Sequence, residues 1–253
     1  FSLLEGALTI AALTKMAIAD AMPALALTDT NNLFGALEFS EKLAGSGIQP
    51  IAGLQLTVEF EPPDPTVRQT VMRSLPHVVL LATSEAGYGN LMQLTSRAFL
   101  DSTAGEVTHV PFARLAAHSE GLIALTGGPG GPLDRALRDG QADLASDRFK
   151  RLQKVFGDRL YVELQRHGTD EERAVEAELL RLAYRDGVPL VAANEPYFAK
   201  AGDYEAHDAL LAIAEGRLVT DDNRRRLTSE HDFKSRAAMV KLFEDLPEAL
   251  QST

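Results

Sequence analysis

Cysteine is absent from this chain of 253 residues. Its absence excludes disulfide bonds, iron–sulfur clusters and thiolate zinc sites. Any metal ion would need ligands from aspartate, glutamate and the six histidines. The hydrophobic content of 45% and the charged content of 24% are typical of a globular protein with a substantial core.

Positive charge is scarce as well. The chain has 25 Lys and Arg residues against 36 Asp and Glu residues, which gives a net charge of −11. Nucleic acid should repel such a domain, so a stand-alone DNA-binding role is disfavoured. The one basic cluster, 224–226, follows Asp221 and Asp222. We interpret it as a solvated helix or loop end rather than a phosphate contact.

Long apolar runs are also missing, and none approaches the roughly 20 residues of a membrane span. The first 25 residues are amphipathic, contain Lys15 and Asp20, and lack a basic n-region, so they do not form a signal peptide. They also lack an initiator Met, and we expect the chain to begin inside a longer protein or to have lost residues at its start. A cytoplasmic location without membrane contact is predicted.

Strand-like and helix-like segments alternate along the chain. Helical apolar spacing is seen at 8–21, 33–44, 87–99, 133–155 with a break at Gly140, 169–185, 205–215 and 235–242. Strand character is seen at 24–28, 49–60, 77–83, 121–127, 159–168 and 188–198. This alternation predicts a parallel sheet or barrel in one domain. Segment 61–76 has four prolines and is predicted to be a surface insertion.

In this fold class, functional groups gather just past the carboxyl ends of the strands. The side chains there that could bind a metal ion are Asp29, His77, His167, Glu195 and His207. A hydrolytic metal centre needs several such ligands converging on one point, and no pair has the spacing HxH or HxxxH. Spacing alone therefore does not favour a catalytic metal site. The stretch TGGPGG (126–131) lacks the Lys of a phosphate loop and predicts a turn.

Several segments, read in order, resemble one family. TDTNNLFGALEF resembles TDHGNMFGAVEF, and IQPIAGLQLTV resembles IKPIIGCEAYV. HVVLLATSEAGYGNLMQLTS, GLIALTGGPGG, LYVELQRHG, PLVAANEPYF and EAHDALLAIAEG have counterparts in the same order, as does FKSRAAMVKLFEDLPEAL. The chain is similar to the polymerase and histidinol phosphatase (PHP) domain of bacterial DNA polymerase III alpha subunits over nearly its whole length.

The resemblance implies a distorted seven-stranded β/α barrel, with residues 1–253 forming one PHP domain at the amino end of a longer polymerase chain. Metal-binding members of the family hold up to nine ligands at one end of the barrel. The HxH pair that precedes SLLEGAL in those members is absent from the chain as given, and four further ligand positions carry poor ligands for a divalent ion: Thr30, Gln55, Gly128 and Tyr197. Only Glu5, His77 and Glu195 retain a ligand type.

These departures imply a domain with an eroded metal site and no catalytic or cofactor-binding residue. We expect no cofactor, and any retained metal would be Zn, Mn or Mg. The expected role is structural, in DNA replication, with docking of a proofreading exonuclease subunit and contact with DNA only through the parent polymerase. The nucleotidyltransferase centre of the parent would lie after Thr253.

Two other interpretations stay open at this stage. One is an active metal-dependent phosphoesterase in the same cleft, acting as a 3′–5′ exonuclease, pyrophosphatase or phosphatase. The other is a stand-alone small-molecule phosphatase, against which the polymerase-type ending argues.

Single residues have structural interpretations too. Asp29 is predicted to form an Asx-turn or to cap the helix that follows it. We expect His167 and His207 to be structural. Exposure to solvent is expected for His109, His118 and His231.

Overall fold

The computed structural model describes residues 5–62, 74–103 and 106–253. Within this part, seven strands form one sheet. They are β1 (Ala24–Leu27), β2 (Gln49–Glu59), β3 (His77–Ala82), β4 (Val110–Pro111), β5 (Leu122–Leu125), β6 (Leu160–Leu164) and β7 (Leu190–Ala192). Six of them were predicted from the sequence, and β7 is shorter than predicted.

Helices separate most of the strands. In the described residues they are α1 (Ile10–Ala19), α2 (Ala36–Gly45), α3 (Glu85–Asp101), α4 (Phe112–Ala117), α5 (Pro132–Arg138), α6 (Ala142–Phe156), α7 (Asp170–Asp186), α8 (Tyr204–Ala214), α9 (Arg236–Leu242) and α10 (Pro247–Gln251). The predicted break at Gly140 is confirmed, since this residue lies between α5 and α6 with φ 71°. The two-residue β4 and the short helices α4 and α10 were missed because they hold too few residues to show a period.

The sheet is mixed rather than parallel. Along it the strands follow the order β1-β2-β3-β5-β6-β7, and β4 pairs with β2. The pairs β1–β2, β2–β4, β5–β6 and β6–β7 are parallel, whereas β3 is antiparallel to both of its neighbours. The expected all-parallel sheet is therefore wrong at β3, while the α/β class and the seven strands of a curled, barrel-like sheet are confirmed.

The reversed direction of β3 has a consequence for the position of His77. This residue begins β3 and pairs with Thr57 near the carboxyl end of β2, while Val79 pairs with Leu125 at the carboxyl end of β5. In an antiparallel pair the start of one strand lies beside the end of the other. His77 therefore stands at the sheet edge where the parallel strands end.

The core follows from the apolar faces of these elements. In α7 the buried apolar residues are Val175, Leu179, Leu182 and Ala183, a helical spacing that faces the sheet. Thr169 and Glu172 form a capping box at the amino end of α7, which fixes where this helix begins. A smaller apolar cluster lies between α1, α2 and the start of β2.

The predicted surface insertion at 61–76 falls mainly on 63–73, which lie outside the described residues. No helix in the described part of the chain combines the length and the hydropathy needed to cross a membrane.

Candidate functional site

The side-chain amide of Gln55 lies at the centre of a hydrogen-bond network at the carboxyl edge of the sheet. Its Nε2 is 2.9 Å from His77 Nε2 and donates to Glu195 Oε1 at 3.1 Å. Its Oε1 accepts a hydrogen bond from the Thr30 hydroxyl at 2.8 Å. Tyr197 donates its hydroxyl hydrogen to the same Glu195 oxygen at 3.0 Å. We call Thr30, Gln55, His77, Glu195 and Tyr197 the cleft network.

The orientation of the Gln55 amide is fixed by its partners. A carboxylate only accepts hydrogen bonds, so the amide nitrogen must face Glu195. The same NH₂ group faces His77 Nε2, which must then be the unprotonated ring nitrogen. The hydrogen bond of His77 to the Gly127 backbone accounts for the other ring nitrogen. Burial is the largest cause of a lowered pKa of His77 and outweighs the opposing effect of Glu195.

Backbone pairing places Thr30 beside Gln55. The Gln55 N–H donates to the Asp29 carbonyl at 3.1 Å, and the Asn31 N–H donates to the Gln55 carbonyl at 2.8 Å. Asn31 is buried in a left-handed conformation with φ 53°, and its side-chain oxygen accepts from the Thr57 N–H at 2.9 Å. Short polar side chains tolerate this conformation by bonding to nearby backbone. Sequence reasoning did not single out Asn31.

The predicted cap role of Asp29 is wrong. The N-cap of α2 is Gly35, which forms no side-chain cap hydrogen bond. The Asx-turn before this helix belongs to Asn32, whose Oδ1 accepts from the Phe34 N–H at 3.1 Å. Asp29 contributes its backbone carbonyl to the pairing with Gln55.

Glycines at 127–131, which we call the glycine turn, pack directly against His77. A Cβ atom on Gly127, which has φ +85°, would lie 2.3 Å from the His77 carbonyl oxygen. A Cβ on Gly128 would lie 2.6 Å from Gln165 Nε2. The Gln165 side chain thus fills the space where metal-binding relatives would place a cysteine, as the resemblance implies. The sequence prediction of a turn here is confirmed.

Gly130→Ala tests this packing. The new Cβ would lie 2.1 Å from His77 Cε1, so the imidazole must move and lose its contact with Gln55. We expect destabilisation by about 1 to 3 kcal/mol, as for overpacked cores. Chemical unfolding and the NMR signals of the His77 ring would measure both effects.

The matched control is Gly89→Ala. This glycine lies in α3 with no heavy atom within 4 Å of the added Cβ, so alanine should be neutral or stabilising there. Equal stability of the two variants would contradict the close packing at His77.

Arg225 covers the cleft network from the solvent side. Its guanidinium lies 5.7 Å from the centre of the Tyr197 ring, donates to the Tyr197 hydroxyl at 3.3 Å and is 3.8 Å from Glu5 Oε1. Burial raises the pKa of Tyr197, and nearby Glu195 raises it further, so the phenol stays protonated. The guanidinium thus supplies a positive charge beside carboxylates at the mouth of the cleft.

The neighbouring arginines have separate roles, so the interpretation of 224–226 as one solvated cluster is wrong. The side chain of Arg224 is inaccessible to solvent and forms a two-pronged ion pair with Asp208. Arg226 is exposed and donates to the Val219 carbonyl. The run of three basic residues concealed these differences because burial depends on contacts distant in sequence.

Four of the histidines outside the cleft network have structural partners in the described residues. His167 is buried, with Nδ1 2.8 Å from Glu172 Oε1 and Nε2 3.3 Å from Asn194 Oδ1. Its ring stacks on His231 at 3.9 Å. His231 is buried and not exposed as predicted, and burial lowers its pKa to about 4. His109 and His118 are half-buried rather than exposed.

His207 ties the start of the described chain to the site. Its Nε2 donates to the Glu5 carbonyl at 2.6 Å, and the Ala7 N–H donates to the Tyr197 carbonyl at 2.7 Å. These contacts place Glu5 next to Arg225 and Tyr197. The expected structural role of His207 fits this geometry.

The three retained ligand types are poorly arranged for a metal ion. Gln55 Nε2 donates toward both His77 Nε2 and Glu195 Oε1, so an amide NH₂ occupies the lone pairs that a cation would need. Glu5 is paired instead with Arg225. Over residues 5–62, 74–103 and 106–253, no three His, Asp or Glu side chains are grouped to hold an ion. The residues do not fit the metal centre that the family implies.

Fold and site together define the class: an α/β domain with a curled seven-stranded sheet whose polar cleft is closed by its own hydrogen bonds. Comparison with known families agrees with the resemblance read from the sequence. The chain belongs to the PHP domain family, whose sequence profile matches residues 1–167.

Curated relatives extend the similarity to the whole chain. DNA polymerase III subunit alpha of Caulobacter vibrioides is 48% identical over 253 residues, which are 100% of this chain and 22% of that protein. The subunit of Rickettsia prowazekii is 36% identical over 100% of this chain and 21% of its own length. The chain thus spans about one fifth of the length of these relatives. A solved amidohydrolase from Chromobacterium violaceum shares 16% identity and a TM-score of 0.47, covering 75% of this chain and 82% of its own.

Proposed function

We propose that this chain is the structural and partner-docking PHP domain of a DNA polymerase III alpha subunit, acting in DNA replication in the cytoplasm without hydrolysis of its own. The observation that carries the proposal is the amide of Gln55 between His77 and Glu195. A group that donates hydrogen bonds stands where a hydrolytic centre would need a cation. The cleft network is therefore part of the architecture.

Similarity to the alpha subunits supports the placement in a replicative polymerase, because it runs through every residue of the chain. Because the chain corresponds to about one fifth of these relatives, polymerase activity and DNA contact belong to the proposed longer protein. The net charge of −11 suits a domain that other parts of a polymerase keep away from DNA. The proposed partner is the proofreading exonuclease subunit.

The same geometry argues against the phosphoesterase alternative. A Zn, Mn or Mg ion at Glu195 and His77 would first have to displace the Gln55 amide and then compete with Arg225 for Glu5. The neutral state of His77 would suit a metal ligand, but its free lone pair already faces a donor. Two hydrogen bonds and one ion pair would be lost before any ligand was gained.

The test compares the complete polymerase chain with a chain that lacks residues 1–253. Both are loaded with zinc or manganese, dialysed and assayed for bound metal and for 3′–5′ hydrolysis of single-stranded DNA. We expect equal metal content and no hydrolysis from either chain. Binding of the exonuclease subunit to the shortened chain should fall by at least tenfold.

The two parts of the proposal fail separately. Extra metal in the complete chain, with hydrolysis lost in His77→Ala, would establish the phosphoesterase alternative. Undiminished exonuclease binding by the shortened chain would remove the docking role and leave the metal result standing.

A further inference from the structure

A small cavity lies behind the glycine turn, between α5, β6 and α7. It offers about 10 Å³ to the centre of a water molecule, and about 10 to 15 Å³ by this measure is enough for one water. The residues that line it are Pro129, Asp134, Glu163, Leu164, Gln165, Glu172, Glu176 and Leu179. We call this space the carboxyl cavity because four of its lining side chains carry carboxyl groups.

Asp134 is the residue whose bonding is incomplete. Only 3% of its surface is exposed, and its Oδ2 atom has no hydrogen-bond partner among the described residues. A buried polar atom without a partner costs about 1 to 3 kcal/mol. An unbonded oxygen on the wall of a cavity of this size indicates a small polar ligand.

The other three carboxyl groups have partners. Glu172 faces His167, and Glu176 forms a two-pronged pair with Arg166. Glu163 accepts from the Gly127 N–H at 3.0 Å and from the Gln165 amide at 2.7 Å, both neutral donors. Asp134 and Glu163 therefore face each other across the cavity without a cation between them.

The charge state of Asp134 follows from these surroundings. Burial raises its pKa well above the usual value, and the nearby Glu163 raises it further. On its own helix, Arg138 acts in the opposite direction, and Glu172 of α7 adds to the increase. Glu176 also faces the cavity from α7 and is neutralised by Arg166. A neutral, protonated Asp134 has a hydrogen on its carboxyl group that needs an acceptor.

We propose that the carboxyl cavity binds one water molecule, to which a protonated Asp134 donates through Oδ2. The water then donates its own hydrogens to the surrounding carboxylate oxygens. A water accepts from one acid and donates to two acceptors, which matches a wall of one neutral acid and several ionised ones. A metal ion is the weaker alternative, because the described residues contain no group of ligands arranged for one.

This site supports the glycine turn from behind. Pro129 lines the cavity, and Glu163 binds the Gly127 N–H of the same turn, which packs against His77. The bound water therefore completes the polar layer under the cleft network. The inference is independent of whether the cleft hydrolyses a substrate.

A crystal structure of the complete polymerase chain, grown in rubidium chloride, tests the ligand. We expect one density peak within hydrogen-bonding distance of Asp134 Oδ2, with no anomalous signal from rubidium. An anomalous peak would overturn the proposal in favour of a cation. An empty cavity, or direct bonding of Oδ2 to a protein group, would overturn it as well.

The proton on Asp134 is tested by Asp134→Asn in the same chain, with pulse proteolysis of the domain at pH 6 to 8. Asparagine keeps a donor toward the water but does not titrate. The folded-to-unfolded ratio of the variant over wild type should rise with pH by up to tenfold per unit. The control is Asp139→Asn, an exposed carboxyl at the end of the same helix, whose ratio should stay constant. A ratio for Asp134→Asn that does not change with pH would show that Asp134 is ionised, and would overturn the proposal. The crystal structure of the wild type decides the question if the variant fails to fold.

Discussion

Replacing His167 with alanine should lower the free energy of unfolding by about 3 to 5 kcal/mol, the usual cost of removing one partner of a buried ionic pair. The substitution would leave Glu172 buried and without its partner at Oε1. It would also remove the ring on which His231 stacks. Chemical denaturation of the chain, followed by circular dichroism, measures the loss.

The reason for the large effect lies in the several roles of Glu172. Its Oε2 accepts from the backbone N–H groups of His167 at 2.8 Å and Thr169 at 3.1 Å, which closes the amino end of α7. Although burial by itself raises the pKa of Glu172, the hydrogen bonds and charge of His167 and the backbone bonds lower it overall. Without His167 the carboxylate must lose part of this network or take up a proton.

The matched control is His118→Ala. His118 also has a contact at each ring nitrogen, with the Arg114 carbonyl at 3.0 Å and Gln93 at 3.2 Å, but it lies half-buried at the surface. We expect a loss of about 1 kcal/mol or less, because water replaces both contacts. A similar loss in both variants would show that the His167–Glu172 pair adds nothing beyond ordinary hydrogen bonds.

Replacing Glu163 with glutamine should change how stability depends on pH. Burial is the main cause that raises the pKa of Glu163 to about 7. In the folded chain Glu163 thus keeps its proton at pH values where the unfolded chain has lost it. Stability contributed by this proton is complete below about pH 4.5 and is lost as the pH rises to about 7. At about 1.4 kcal/mol per pKa unit, the shift from 4.5 to about 7 corresponds to about 3 kcal/mol.

His231 acts in the opposite direction over nearly the same range. Its folded pKa of about 4 lies below the ordinary 6.5, so the unfolded chain binds the proton first as the pH falls. Stability linked to His231 is therefore present above pH 6.5 and is lost toward pH 4. The two groups nearly cancel in the wild type, and its stability should change little between pH 4.5 and 6.5 through them.

The variants separate the two contributions. In Glu163→Gln, stability should rise by about 3 kcal/mol from pH 4 to 6.5, because only His231 then titrates. His231→Asn should show the reverse slope. Glu205→Gln, which changes an exposed carboxyl on α8, should follow the wild type. Parallel curves for the wild type and Glu163→Gln would contradict a raised pKa of Glu163.

The sequence by itself determined the elements whose causes are local. Alternating apolar segments predicted six of the seven strands, and helical spacing predicted seven of the ten helices in the described residues. Gly140 predicted the break between α5 and α6, because glycine alone adopts its positive φ without strain. The ordered motifs also identified the family, and with it the replaced ligands Thr30, Gln55, Gly128 and Tyr197.

Only the tertiary structure decided how those residues are used. The reversed direction of β3 brings His77, at the start of a strand, to the edge where the parallel strands end. Gln55 bonds to Glu195 across 140 positions of sequence, and no local pattern encodes such a contact. The burial of His231, the position of Arg225 over Tyr197 and the unpartnered oxygen of Asp134 have the same origin. Local spacing specifies periodicity and capping, whereas burial and charge pairing arise only when distant segments pack together.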